Sequence, residues 1–188
     1  MDIQNLFVVF LFLILAIILV KVIVNVKMQG GELFGRPTIN IYLQFFGKIS
    51  IIIPSFFLLF EALGLNILTF EVPDFLKWVG TVVAFEAMLF LYFSLWKLGR
   101  YTKMGLPKND PIQLQTKGIY KLSRNPMYLG LILLAIASVL FVPNYINMAF
   151  AFAGIFIHHL IILGEEKFLE EKFGQSWLEY KSITKRYL

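Results

Sequence analysis

Ser123-Arg124-Asn125-Pro126 stands directly before an apolar run, and it has the composition of a helix start suited to an anion. Asn is a favoured N-cap. Pro is favoured at the first helical position, where its missing N–H would have had no partner in any case. A helix beginning there presents free N–H groups and a positive dipole end, both attractive to carboxylates and phosphates. Arg124 adds a fixed cation with bidentate geometry. Further along, Glu165 and Glu166 follow a second apolar run, and His159 lies two helical turns before Glu166 on roughly the same face.

Only Pro143-Asn144 separates the two runs, so they must fold as a tight antiparallel hairpin. With equal rise per residue, the hairpin returns Glu165 and Glu166 to about the depth of Arg124 and Asn125. A cationic helix start and two carboxylates then share one interface. A zwitterionic amino acid suits such a site, its carboxylate toward Arg124 and its ammonium toward a glutamate. The methionine portion of S-adenosylmethionine has this arrangement, which makes it compatible without singling it out.

Each feature also has a plainer reading. An arginine at a helix start commonly anchors to headgroups. Glu170 and Glu171 read as a solvated face with i,i+4 lysine pairs. His158 and His159 are neighbours, so on a helix they point about 100° apart and cannot chelate one metal together. With no Cys in the chain, thiolate metal sites, disulfides and a cysteine nucleophile are excluded, and no metal is expected. Glu86 lies inside an apolar run, where a carboxyl is costly, and is expected to face the bundle interior. Glu61 is near the end of a run and within reach of an interface.

The elements that must position these residues are membrane helices. The 188 residues are 59% hydrophobic and 15% charged, with 20 Phe. Soluble domains average about 45–50% apolar and about 25% charged, and a single core of this size would not hide the excess. Apolar runs cover residues 3–20, 49–65, 79–96, 127–142 and 145–163. Each approaches the ~20 residues of a spanning helix, and the fourth is short. The second starts earlier if residues 39–46 join it, and Pro54 is expected to kink it. The first lacks a basic leader region and a small-x-small cleavage site, so it reads as a retained span.

The expected architecture is therefore all-α, with about five transmembrane helices and a helical C-terminal tail. It is one domain over residues 1–188: N-terminal spans to 98, then a loop, the hairpin and the tail. The net charge of +5 comes from Lys and Arg in the connections, which argues for topology and against nucleic acid. Lys21, Lys27, Arg36 and Lys48, then the residues from Lys97 to Arg124, then the tail, mark one side as cytoplasmic. That side holds the C-terminus, and the N-terminus lies outside.

From Leu114 onward the sequence resembles the isoprenylcysteine carboxyl methyltransferase and phospholipid methyltransferase family. The matching residues are Leu114, Thr116, Gly118 and Tyr120; Arg124-Asn125-Pro126, Tyr128 and Gly130; His159 with Glu165-Glu166; and Phe173-Gly174, Trp177 and Tyr180. The match covers roughly the last two-fifths of the chain, in the family's order and spacing. The resemblance implies S-adenosylmethionine as methyl donor, in a pocket covered by the tail, and a lipophilic acceptor arriving through the bilayer. By position, Arg124 and Glu166 would lie nearest the reacting groups. Gly118, Tyr120, Asn125, Tyr128, Gly130, His159 and Glu165 would surround the donor, with Gly130 also permitting close packing. Asn125 stands where many members have His, which argues against proton transfer at that position. Two other readings are an NADPH-dependent reductase of the sterol-reductase type and a non-enzymatic membrane protein keeping the fold. The acceptor atom and the oligomeric state are not legible.

Overall fold

The computed structural model describes residues 2–28, 37–65, 70–98 and 113–188. Arg36, Arg100, Lys103 and Lys108, used above for sidedness, lie outside the described residues. Among the described residues all regular structure is helical: α1 (Ile3–Met28), α2 (Ile41–Ala62), α3 (Asp74–Leu98), a 3₁₀ turn (Gly118–Lys121), α4 (Pro126–Phe141), α5 (Tyr145–Phe173) and α6 (Gln175–Ile183).

The helices α1, α2, α3 and α5 are long and apolar enough to cross a membrane. In α1, Val and Ile dominate, poor helix formers in water. In hydrocarbon every backbone group must be paired within the segment, and that requirement overrides intrinsic propensity. At 16 residues α4 is shorter, about 24 Å against a hydrocarbon core of about 30 Å. Large apolar side chains cover the outer faces, among them Ile17 at 69%, Phe45 at 66% and Phe152 at 76% exposure, a surface that only lipid accommodates.

Inside, α4 packs chiefly on α3 and α5 chiefly on α2. Small residues bring the backbones together. A Cβ on Gly130 would meet Leu91 Cγ at 2.8 Å and the Ala87 carbonyl at 3.0 Å, and α3 turns Ala84 and Ala87 toward this seam. The core adds Val8 and Leu11 from α1, Leu58 from α2, and Leu134, Ala137 and Phe141 from α4.

Two intramembrane carboxyls sit differently from expectation. Glu86, midway along α3, is exposed rather than interior. The reason is angular: the inward stripe runs through Ala84, Ala87 and Leu91, and two residues on from Ala84 the helix has turned about 200°. Glu61, expected within reach of the interface, is 9% exposed, and its Oε2 is buried without a hydrogen-bond partner.

The second helix does start early. Asn40 caps it, its Oδ1 accepting from the backbone N–H of Tyr42 and Leu43, so Lys48 belongs to α2 and not to a loop. The helix continues unbroken through Pro54, whose carbonyl accepts from Ser138 Oγ on α4 at 2.5 Å. The hairpin turn is fixed by Asn144, which caps α5 through the Asn147 N–H at 2.8 Å. The fifth helix then runs past Glu165 and Glu166 to Phe173, well beyond the apolar run that announced it.

Candidate functional site

The hairpin places Glu166 against Arg124 and Asn125. Arg124 Nη2 lies 3.2 Å from Glu166 Oε1, and Asn125 Nδ2 donates to the same oxygen at 2.9 Å. The other oxygen, Oε2, accepts from Arg186 Nη2 at 2.9 Å and Nε at 3.1 Å. Both carboxylate oxygens are thus engaged, and the residue is 4% exposed. Asn125 occupies the N-cap position with Pro126 at N1, as its sequence suggests, but its side chain does not cap α4. It serves Glu166 instead.

Arg124 is equally committed. Its Nη1 donates to the carbonyls of Lys181 and Thr184, and its backbone N–H donates to the Lys185 carbonyl at 2.9 Å. Its guanidinium lies 5.9 Å from the centre of the buried Trp177 ring. Next to it, Ser123 Oγ donates to the Arg186 carbonyl at 2.9 Å. Arg124 and Glu166 therefore fasten the last eight residues or so of the chain over the start of α4. Gly174 ends α5 and turns the chain into α6, which carries Trp177 and Tyr180 inward.

Glu165 belongs to a different cluster. Tyr128 donates its phenol to Glu165 Oε1 at 2.6 Å, and both residues are partly exposed. Lys48 of α2 acts electrostatically on both Glu165 and His158. Tyr120 is buried beside this carboxylate; burial holds its phenol protonated above the ordinary range, with Tyr180 and Glu165 adding to the effect. The Tyr120 carbonyl accepts from Tyr180 Oη at 2.6 Å, tying the 3₁₀ turn to α6. Burial pushes the Tyr180 phenol up to about 12, against the lowering influence of Arg124. Gly118 starts the 3₁₀ turn at φ +69°, a conformation in which a Cβ is strained although the space around it is open.

Among the other residues weighed from the sequence, His158 adjoins the Glu165 cluster, its ring centroid 5.7 Å from that of Tyr128. Gly130 faces Ala87 and Leu91 of α3. His158 is buried, with Nδ1 2.8 Å from the Gly154 carbonyl one turn back. His159 points along another face, where Nδ1 and Tyr187 Oη are 2.7 Å apart.

Three contributors were not singled out from sequence. Arg186 and Tyr187 sit in a basic tail that reads as a topology signal. Lys48 precedes its apolar run and reads as a loop residue. The adjacency of Arg186 to an aromatic at the end of the motif-bearing region was the available hint, and a weak one.

Chemically, the described residues offer a sealed ion-pair clamp on the tail and, beside it, a partly open carboxylate with a phenol donor and a nearby cation. No curated protein matches the chain. The sequence profile of the phospholipid methyltransferase family matches residues 68–176, more than half of the chain. That match reaches back into α3, further than the motifs after Leu114, and stops before the tail residues that close the clamp. On this match, with the helical bundle beneath it, the chain belongs to the phospholipid methyltransferase family, whose members are membrane methyltransferases.

Proposed function

We propose that the protein moves a methyl group from S-adenosylmethionine to a lipophilic acceptor, with the donor held at the end of the bundle where α4 begins. The observation that carries this reading is the convergence of three separate segments there. The 3₁₀ turn with Tyr120, the start of α4 with Tyr128, and α5 with Glu165 come together under α6. The residues present fit a zwitterionic amino-acid group. The Glu165 carboxylate with the Tyr128 phenol suits an ammonium, and the Arg186 guanidinium, 31% exposed at its side chain, suits a carboxylate.

When bound, the donor supplies a sulfonium-activated methyl, which transfers by in-line displacement without a protein nucleophile. The chain's task is to position and to exclude water. The tail, fastened by Arg124 and Glu166, puts Trp177 and Tyr180 over the site as a dry roof. Arg124 is engaged by Glu166 and by tail carbonyls, which leaves it poorly suited to orient an acceptor carboxylate. An uncharged nucleophile such as an amine, which needs no cation to orient it, fits better than a carboxylate. Asn125 takes no part in proton transfer.

Sidedness follows from charge. The site end carries Lys117, Lys121, Arg124, Lys167, Lys172, Lys181, Lys185 and Arg186, whereas the opposite end has Glu71 and Asp74 with Lys77. The site then faces the cytoplasm, with α4 as a fifth, short crossing and the N-terminus outside.

Calorimetry with S-adenosylhomocysteine on detergent-purified protein tests the reading, with NADPH as control. Binding that weakens in Glu165→Gln supports it. Folded protein silent toward S-adenosylhomocysteine overturns it, and binding of NADPH instead would assign a reductase.

A further inference from the structure

A groove of about 370 Å³ runs between α4 and α5 on the outer face of the hairpin. Leu129 and Ile132 of α4 form one wall and Ile155 and Phe156 of α5 the other, with Phe152 at its outer edge. Phe152 and Phe156 are 76% and 56% exposed, so the groove opens sideways into the surroundings of the bundle. At one end the apolar walls give way to His159 and Tyr187, hydrogen-bonded at 2.7 Å.

We infer that this groove holds a hydrocarbon chain of the acceptor lipid and that the His159–Tyr187 pair receives its headgroup. The inference rests on the methyltransferase reading above and adds where the acceptor sits. The walls identify the occupant. They offer no hydrogen-bond partners, so the polar donor would leave its own groups unpaired there, at a cost an alkyl chain does not meet. The volume is in the range of small-ligand sites, and the opening faces hydrocarbon, which only a membrane lipid reaches laterally.

The polar end separates this groove from the rest of the lipid-facing surface. Imidazole and phenol together keep donor and acceptor capacity beyond the bond they share. Tyr187 also follows Arg186, whose guanidinium binds Glu166, so the headgroup end is continuous with the clamp over the proposed donor site. Tyr187 lies beyond the residues that the family profile matches.

Photolabelling tests the inference. The full chain is placed in phosphatidylcholine nanodiscs containing phosphatidylethanolamine with a diazirine midway along one acyl chain, irradiated, and mapped by mass spectrometry. Adducts should concentrate on Ile132, Ile155 and Phe156. Ile132→Trp, which fills the groove, should reduce them about tenfold. A diacylglycerol probe with the same chain should label more weakly than phosphatidylethanolamine, and Tyr187→Phe should erase that difference. Adducts spread over α1, α2 and α3 in proportion to exposure would overturn the groove, as would equal labelling by both probes in the wild type. S-adenosylhomocysteine binding on the same preparations separates the two ideas. Donor binding with scattered adducts sinks the groove alone, whereas focused adducts without donor binding sink the methyltransferase reading and leave a lipid site.

Discussion

Arg124 and Glu166 meet at 3.2 Å across the α4–α5 hairpin, forty-two residues apart in the chain, and neither has capacity left over. Their side chains are 7% and 6% exposed, so removing one leaves the other charged in a poorly solvated place. Breaking such a pair costs about 3–5 kcal/mol, more than forming it contributes. Arg124→Ala should therefore lower the unfolding midpoint markedly and make the chain after Gly174 sensitive to protease. Arg186→Ala, at a partly exposed position, should cost about 1 kcal/mol or less. Thermal melts and timed proteolysis in detergent read both. Equal, small effects would mean that the pair does not hold the tail.

Glu165 and Glu166 are adjacent yet separable. Glu165→Gln removes a partly exposed carboxylate whose hydrogen-bond donor is Tyr128. It should weaken S-adenosylhomocysteine binding by about tenfold or more, on the scale of a charge-assisted hydrogen bond, with little change in melting. Glu166→Gln leaves two guanidinium groups without their anion and should lower the melting midpoint before it touches intrinsic affinity. The reverse pattern would exchange the roles of the two glutamates.

This separation was only half visible in the sequence. The hairpin was legible because Asn125-Pro126 marks a helix start and Pro143-Asn144 leaves no room for any other return. That both glutamates come back near Arg124 follows from helix rise. Which of them Arg124 meets depends on rotation about α5, and adjacent residues differ there by about 100°. Glu86 escaped for the same reason: hydropathy finds a span but not its inward face when nearly every position is apolar. Lys48 was assigned by charge to a connection, and the Asn40 cap moved the helix start past it. Arg186 and Tyr187 looked like ordinary tail residues because their contacts are entirely long-range.

Gly130 was expected near the donor and also as a point of close packing, and it stands at the α3–α4 seam. Gly130→Val would drive a side chain into Leu91 and the Ala87 carbonyl, forcing α3 and α4 apart. Overpacking of this kind costs about 1–3 kcal/mol. Unfolding free energy should fall by that amount, while S-adenosylhomocysteine affinity at a temperature where the variant is folded stays near wild type. A variant of normal stability with lost affinity would return Gly130 to the donor site.

Alkaline pH offers a reading on the tail clasp itself. Tyr180 has an ordinary phenol value of 10.0, raised in the folded protein to about 12 chiefly by burial beside its bond to the Tyr120 carbonyl. Between pH 10 and 12 the unfolded chain has released this proton and the folded chain has kept it. The folded state then binds more protons, and stability falls as pH rises. The clasp is fully present below pH 10 and is lost as pH climbs through about 12. Tyr120, also raised by burial, acts in the same direction. Melting midpoints followed by tryptophan fluorescence should thus decline over this window in the wild type. Tyr180→Phe should start lower, having lost the hydrogen bond, and decline less steeply, because its own share is gone while those of Tyr120 and Tyr187 remain. Parallel declines in the two proteins would show that Tyr180 does not hold its proton any more tightly when folded.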